Sequence, residues 1–172
     1  IAQAVDWAQR ILEGDKQRRR SAAARRQTSV PEGWAVSTRR AFIESDLRVV
    51  KRSSSERQER PKLRARYHKL LLECANAGLW QEQLFLYAGM IVGRVPPNIA
   101  TFNLLITGSK RGHAPTAAVA CLREMRRIGV APTLKTFHLV LSTCMQSRPS
   151  RWRLAAAAFR DMHESGVTLS LG

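Results

Sequence analysis

A short motif recurs three times along this chain at a fixed spacing, and the spacing limits the possible folds. The segment 66–71 aligns with 101–106 and then with 136–141, each 35 residues after the one before. A period of this length is typical of helical hairpins stacked in a row, because one hairpin cannot bury its apolar face alone. The spacing therefore predicts an all-α fold, a short α-α solenoid of about three helical-hairpin repeats with a basic, partly extended N-terminal region.

Each unit divides into two helices at a break that contains Gly or Pro. The predicted helix pairs are 66–77 with 80–92, 101–111 with 115–128, and 136–146 with 151–165. The stripe expected to be buried on the first helices is Tyr67, Leu70, Leu71, Cys74, then Phe102, Leu105, Ile106, Ser109, then Phe137, Val140, Leu141, Cys144. The corresponding stripe on the second helices is Leu86, Tyr87, Met90, then Cys121, Leu122, Met125, then Ala158, Phe159, Met162. Aligning the third unit requires two extra residues in its turn.

The openings, breaks and closings of the units also agree with one another. The shared features are a Thr-Phe-Asn/His opening, a mid-unit Gly, a Met late in the second helix, and a Gly-Val-x-Pro closing. This pattern resembles the pentatricopeptide repeat family of RNA-binding proteins. The resemblance implies a repeat region at 61–172, with units at 64–98, 99–133 and 134–170, in which the first helices line a concave groove and the second helices form the outer wall. Residues 1–60 are expected to be a basic extension with one or two short helices.

The charge of the chain indicates a polyanionic partner. Lys and Arg total 29 against 13 acidic residues, a net charge of +16. No apolar run approaches the roughly 18 residues of a membrane-spanning helix, so nucleic acid is favoured over a membrane. The family resemblance implies that this nucleic acid is RNA. The candidate RNA-binding residues are Arg18, Arg19, Arg20, Arg25, Arg26, Lys69, Asn103, Lys110, Arg111, Arg123, Arg126, Arg127, Arg151, Arg153 and Arg160.

The resemblance also implies positions that could read bases. In the family, one side chain early in the first helix and one at the end of the unit contact a base. These positions fall here on His68 with Asn98, Asn103 with Thr133, and His138 with Ser170. At one base per repeat, three units would specify only about three nucleotides. Surface contacts without base specificity are therefore favoured over sequence reading.

The N-terminal third is expected to wrap around a partner. An amphipathic helix is predicted from residue 1 to Glu13, a second one from Ser37 to Val50, and a cation-rich stretch between them at 16–26. Basic arms of this kind often become ordered only on binding RNA.

The sequence gives little support for catalysis. Cys74, Cys121 and Cys144 all lie on the repeat stripes and form no C-x-x-C pair, which favours a role as small core residues. The four histidines are scattered, no phosphate-binding glycine loop is present, and neither a metal, a cofactor nor a small-molecule substrate is expected.

The predicted function is that of a non-catalytic, RNA-binding structural protein. The family resemblance implies that it is a subunit of an organellar ribosome, mitochondrial before plastid, that contacts ribosomal RNA and other ribosomal proteins. One alternative is a free factor that protects, processes or activates organellar transcripts. The other is a helical protein–protein adaptor, for which a net charge of +16 is unfavourable.

Overall fold

The structure of the chain, a computed structural model, describes residues 6–14, 56–147 and 151–166, with the side chains of 56–60 excepted. These residues form seven helices, and the described ranges contain no strand, which confirms the predicted all-α solenoid. The helices are α1 (6–14), α2 (Glu56–Asn76), α3 (Trp80–Val92), α4 (Ile99–Arg111), α5 (Pro115–Arg127), α6 (Leu134–Gln146) and α7 (Trp152–Glu164). The helix predicted for 37–50 and the arginine cluster at 16–26 lie outside the described residues.

Three antiparallel helix pairs follow one another: unit 1 is α2 with α3, unit 2 is α4 with α5, and unit 3 is α6 with α7. Every predicted helix end in these units is correct to within two residues except the start of α2, which begins at Glu56 instead of residue 66. The charged segment before residue 66 continues the helix, since Arg, Glu and Gln are good helix formers. Pro61 lies in the second turn, where the missing N–H removes one intrahelical bond.

Capping explains why α4 and α6 begin two residues earlier than predicted. The side chain of Asn98 accepts a 3.0 Å hydrogen bond from the Thr101 backbone N–H, and the Thr101 hydroxyl accepts one from the Asn98 N–H at 3.1 Å. Thr133 and Thr136 make the same reciprocal pair at the start of α6. These capping boxes satisfy N–H groups that the first turn of a helix leaves without partners.

The first helices of the three units form one row, and the second helices form another, the outer row. The two rows pack differently. The first helices of neighbouring units, α2 with α4 and α4 with α6, contact each other extensively. Among the described second helices, α5 and α7 touch much less, and α3 has no comparable contact with α5. Because the first helices pack closely while the second helices lie further apart, the solenoid is curved. The first helices lie on its concave side. This is the arrangement that the family resemblance implies.

Aromatic and apolar side chains from all three units form one core. Phe102 is fully buried in unit 2, and its ring centroid lies 5.6 Å from that of Tyr87 in unit 1. Most of the predicted stripe is buried, and Leu70, Cys74 and Leu141 are half-buried. Phe159 is the exception, because it is 48% exposed. Nearly half of its side chain is in contact with solvent, so the prediction that Phe159 is buried is wrong.

Two glycines allow unit 1 to approach unit 2 closely. A Cβ at Gly108 would stand 1.8 Å from Oε1 of Gln83, and one at Gly112 would stand 2.4 Å from Cδ1 of Trp80. Gln83 is fully buried, and its amide nitrogen donates to the carbonyls of Leu71 at 2.7 Å and Leu104 at 3.0 Å. One side chain of α3 thus joins the backbones of both neighbouring first helices.

Helix α1 lies on the outer side of the solenoid. Ala8 is buried, and the Trp7 ring makes an edge contact with Tyr87 at a centroid distance of 5.3 Å. Ile11 is half-buried against the core and lines a cavity together with residues of α5 and with Leu154. The predicted N-terminal helix is therefore present over its described residues, where it packs on the repeats of its own chain.

Candidate nucleic-acid interface

The position of unit 2 that was predicted to read a base is tied to the start of unit 3. Asn103 lies on the second turn of α4, half-buried, and its side-chain oxygen accepts a 2.9 Å hydrogen bond from the Thr136 hydroxyl. Thr136 is also the capping-box partner of Thr133. The structure therefore brings together the two residues predicted as a pair, Asn103 and Thr133, and Thr136 connects them. The Thr136 bond also fixes which way the Asn103 amide points.

Unit 1 repeats this arrangement with a histidine. Nε2 of His68 lies 2.8 Å from the Thr101 hydroxyl, and Thr101 is the capping partner of Asn98. Burial, with a further contribution from the positive charge of Arg64, lowers the pKa of His68 below its ordinary value. The ring is therefore held in its neutral form near pH 7, with one nitrogen engaged by Thr101.

The third predicted pair is incomplete in the structure. His138 is exposed at the matching position of α6, and Ser170 lies outside the described residues. The connecting threonines, Thr101 and Thr136, open the repeated motif but were not predicted as site residues. The signal that could have found them is the recurrence of Thr at 101 and 136, three residues after Asn98 and Thr133.

The predicted cations of the first helices differ in how far they are available to a ligand. Lys69 is exposed on α2, and Lys110 is half-buried near the end of α4. Arg111 reaches back across the unit boundary, where Nη1 donates to the side-chain oxygen of Asn76 at 2.6 Å. Arg111 therefore joins units 1 and 2 as well as carrying charge.

Among the described residues, the outer row carries all the predicted arginines except Arg111. Arg123 on α5, Arg151 before α7, and Arg153 and Arg160 on α7 are all exposed. The Arg153 guanidinium lies over the Trp152 ring, 5.4 Å from its centroid. Arg18, Arg19, Arg20, Arg25 and Arg26 lie outside the described residues.

The other two outer-row arginines hold the repeats together. Arg126 forms an ion pair with Asp161 at 3.4 Å and donates to the Asp161 carbonyl at 2.6 Å, which joins unit 2 to unit 3. Arg127 donates from Nε and Nη2 to the two carboxylate oxygens of Glu124, at 2.7 and 2.8 Å. Part of their charge is therefore neutralised within the chain.

Glu124 is a buried acid that the sequence reading did not single out. It is 1% exposed, and besides Arg127 it accepts a 2.9 Å hydrogen bond from the Tyr87 hydroxyl. Burial and the nearby Glu124 carboxylate raise the pKa of Tyr87 well above its ordinary value. Tyr87 of unit 1 and Arg127 of unit 2 thus supply the hydrogen bonds that the buried Glu124 carboxylate requires.

A basic cleft opens where α1 lies against α5. It encloses about 590 Å³ and is lined by Trp7, Arg10, Ile11, Ala120, Arg123, Glu124 and Arg127. The guanidinium groups of Arg10, Arg123 and Arg127 border this cleft. The Glu124 carboxylate also borders it and is hydrogen-bonded to Arg127 and Tyr87. The cleft therefore belongs to the positively charged outer face.

The cysteines behave as core residues. Cys121 and Cys144 are buried and Cys74 is half-buried. Burial, with a smaller effect of Glu124, raises the pKa of Cys121 to about 12. The part of the chain that the structure describes contains no group of three His, Cys, Asp or Glu side chains placed to hold a metal ion. None of its described helices has the length and apolar character needed to cross a membrane.

Comparison with known proteins agrees with this architecture. Residues 90–147 match the pentatricopeptide repeat domain. The chain is 36% identical over 66 residues to small ribosomal subunit protein mS39 of Mus musculus, an alignment that covers 36% of this chain and 9% of that protein. It is 33% identical over 69 residues to the Bos taurus protein of the same name, covering 39% and 10%. The aligned part of the chain thus spans about a tenth of the length of these relatives. The match to residues 90–147 and the repeated hairpins agree with the resemblance to the pentatricopeptide repeat family.

Proposed function

We propose that this protein is a non-catalytic structural component of a mitochondrial ribosome, which binds ribosomal RNA through its basic outer face and neighbouring proteins through its helical repeats. The observation that carries the proposal is the position of the exposed cations. Arg123, Arg151, Arg153 and Arg160 lie on the spread outer row, where side chains can reach several RNA segments. Phosphate contacts of this kind fix a protein in place without reading sequence.

The residues of the concave face support the same proposal. Asn103 and His68 are each engaged by a threonine of the following unit. Their contacts stabilise the unit boundaries, which leaves less hydrogen-bonding capacity for bases. The two relatives named as small ribosomal subunit proteins and the net charge of +16 point the same way, and a mitochondrial location agrees with these relatives.

An assembly assay with two charge-matched variants tests this proposal. The outer variant is Arg123→Ala/Arg151→Ala/Arg160→Ala, three exposed residues for which the structure gives no ion pair among the described residues. The groove variant is Lys69→Ala/Lys110→Ala/Lys135→Ala, which removes the same charge from first helices. We expect the outer variant to be lost from ribosomal particles at moderate salt while the groove variant is retained. The opposite result would show that the concave face holds the RNA.

A free transcript-binding factor is the second candidate, and the Asn103–Thr136–Thr133 arrangement is the observation that favours it. An amide held in one orientation is suited to a base edge. Asn103→Ala/His138→Ala should then abolish discrimination among short RNAs that differ in one base. Under the ribosomal proposal, this variant binds all of them as the unaltered protein does.

A further inference from the structure

The basic cleft between α1 and α5 lies on the middle unit of the array. Repeat units stand on both sides of unit 2, so the cleft is bordered within the array and not at its end. It encloses about 590 Å³, which falls in the range of pockets for small ligands, about 300–1,000 Å³. Phosphate contacts on an exposed surface require no such cleft. A space of this size holds one nucleotide but is too small for a paired stem.

The apolar part of the cleft comes from both helices. Trp7 and Ile11 lie one turn apart on α1, and both are half-buried. Ala120 of α5 completes this lining, and its short side chain leaves the space open. The buried Tyr87 contacts the Trp7 ring at a centroid distance of 5.3 Å, which helps to hold the indole in place. An aromatic ring beside an apolar wall is a surface on which an unpaired base stacks.

The charged part of the cleft can hold a phosphate group. Arg10 and Arg123 are exposed, and both also line a second space of about 260 Å³ that adjoins the cleft. These two arginines therefore stand at the junction of the two spaces. Arg10 forms an ion pair with Asp6, but both side chains are mostly exposed, and such pairs contribute little energy. The Arg10 guanidinium is therefore free to turn towards a phosphate beside Arg123.

A carboxylate borders the cleft as well, and its bonds within the chain limit its repulsion of an anion. Glu124 is 1% exposed, and both of its carboxylate oxygens accept hydrogen bonds from Arg127, at 2.7 and 2.8 Å. With Asp6 included, three arginines face two acids here, a net charge of +1. A phosphodiester group carries one negative charge, so its charge matches that of the cleft.

The segment of the chain that follows α1 is poorly suited to fill the cleft. Residues 16–26 carry six cations and no acid, so the arginines of the cleft would repel them. The same cations lie close in sequence to Arg10 and would add to the attraction for a polyanion.

We infer that this cleft binds a single unpaired nucleotide of the RNA partner, with its base against Trp7 and Ile11 and its phosphate between Arg10 and Arg123. The inference rests on the proposed function, because it takes RNA as the partner. It adds the RNA feature that is bound, since phosphate contacts alone convey no information about the base.

The test compares the affinity of the full chain for two RNA hairpins, one with a single unpaired nucleotide in its stem and one without it. We expect the unpaired nucleotide to raise the affinity roughly tenfold, a gain of the size that stacking of one base supplies. A hairpin in which this nucleotide lacks its base should bind as the fully paired hairpin does. A fluorescent adenine analogue at the unpaired position should lose fluorescence on binding, because stacking on an indole quenches it.

The test variant fills the cleft without changing its charge. Ala120→Leu should abolish the preference for the unpaired nucleotide and leave the affinity for the paired hairpin unchanged. The matched control is Ala157→Leu, at the corresponding half-buried position of α7, which should keep the preference. Arg10→Gln is a second test variant at an exposed residue, where no packing is disturbed. It should weaken binding of the hairpin with the unpaired nucleotide more than binding of the paired one.

Four results would overturn the inference. Equal affinity for the two hairpins, with both bound, would do so and leave the proposed function in place, whereas no binding of either hairpin would count against both. Binding of free adenosine monophosphate without any preference between the hairpins would make a free nucleotide the ligand. A preference seen only in the variant Glu44→Gln/Asp46→Asn would show that this acidic segment of the chain occupies the cleft instead.

Discussion

The Tyr87 hydroxyl donates a 2.9 Å hydrogen bond to the buried carboxylate of Glu124, and this bond joins the second helices of units 1 and 2. The pair lies in the row where direct helix contacts are sparse. Polar bonds therefore hold the outer row together where apolar contact does not, and the Arg126–Asp161 pair does the same between units 2 and 3.

Replacing Tyr87 with Phe should lower the free energy of unfolding by about 1–3 kcal/mol, because a buried acceptor loses a donor. Urea denaturation followed by circular dichroism measures the change. The same replacement in a Glu124→Met background should cost much less, since the acceptor is then absent. An equal loss in both backgrounds would mean that Glu124 is not the partner through which Tyr87 acts.

Stability should fall at alkaline pH. Burial raises the pKa of Cys121 from 9.0 to about 12, and burial with the Glu124 charge raises the pKa of Tyr87 above 10.0. As the pH rises, the unfolded chain therefore loses the Cys121 and Tyr87 protons at a lower pH than the folded chain does. The contribution of each group is complete below its unfolded pKa and is lost at about 1.4 kcal/mol per pH unit as the pH rises between the two values. Urea denaturation from pH 8 to pH 11 measures this decline, and the double variant Tyr87→Phe/Cys121→Ala should show a smaller slope.

Removal of the Phe102 side chain should cost roughly 3–5 kcal/mol, the range for a buried aromatic residue. The ring is fully buried between units 1 and 2. Phe85→Ala is the matched control, because Phe85 is 40% exposed, and it should change stability by far less. Similar losses in the two variants, again by urea denaturation, would contradict the placement of Phe102 in the core.

A methyl group at Gly112 should destabilise the boundary between units 1 and 2. The added Cβ would stand 2.4 Å from Cδ1 of Trp80 and 2.7 Å from the Gly78 carbonyl oxygen. We expect Gly112→Ala to cost about 1–3 kcal/mol, as for an overpacked core, with a red shift of tryptophan fluorescence if Trp80 is displaced. Gly14→Ala is the control, because nothing lies within 4 Å of a Cβ there.

RNA affinity should depend steeply on salt. If six to ten phosphates are neutralised, binding falls on the order of 10³–10⁵-fold between about 50 and 200 mM salt. Replacing Arg18, Arg19, Arg20, Arg25 and Arg26 with Ala should weaken binding to unrelated RNAs alike and reduce the slope of log affinity against log salt. A filter-binding titration at several salt concentrations measures both quantities. Unchanged affinity would exclude this cluster from the interface.

The repeat architecture could be predicted from the sequence, but the contacts between neighbouring units could not. Periodicity predicts helices because apolar spacing reflects burial on one face. Gly, Pro and the aligned openings predict the helix ends in units 1 to 3 to within two residues, except for the start of α2. Periodicity does not say which neighbour covers a position. Phe159 therefore seemed equivalent to Tyr87, although in the described residues only Tyr87 is covered by a following unit.

The candidate interface shows the same limit. The sequence places arginines on the second helices but does not distinguish Arg123, which is exposed, from Arg126 and Arg127, which bind Asp161 and Glu124. These pairs form between residues that are far apart in the repeat or lie within one turn of a helix. The geometry of the Arg126–Asp161 pair depends on how closely units 2 and 3 approach, which single-residue patterns do not encode.

Helix α1 has a mechanical consequence for the whole repeat array. The curvature of a solenoid of hairpins changes when its second helices move apart or closer together. Helix α1 touches Tyr87 of unit 1 through Trp7, and its Ile11 side borders α5 and Leu154 of unit 3. Moving the second helices apart would break these contacts. Helix α1 therefore opposes a change of curvature across the three units. The contacts of α1 thus favour one curvature of the array.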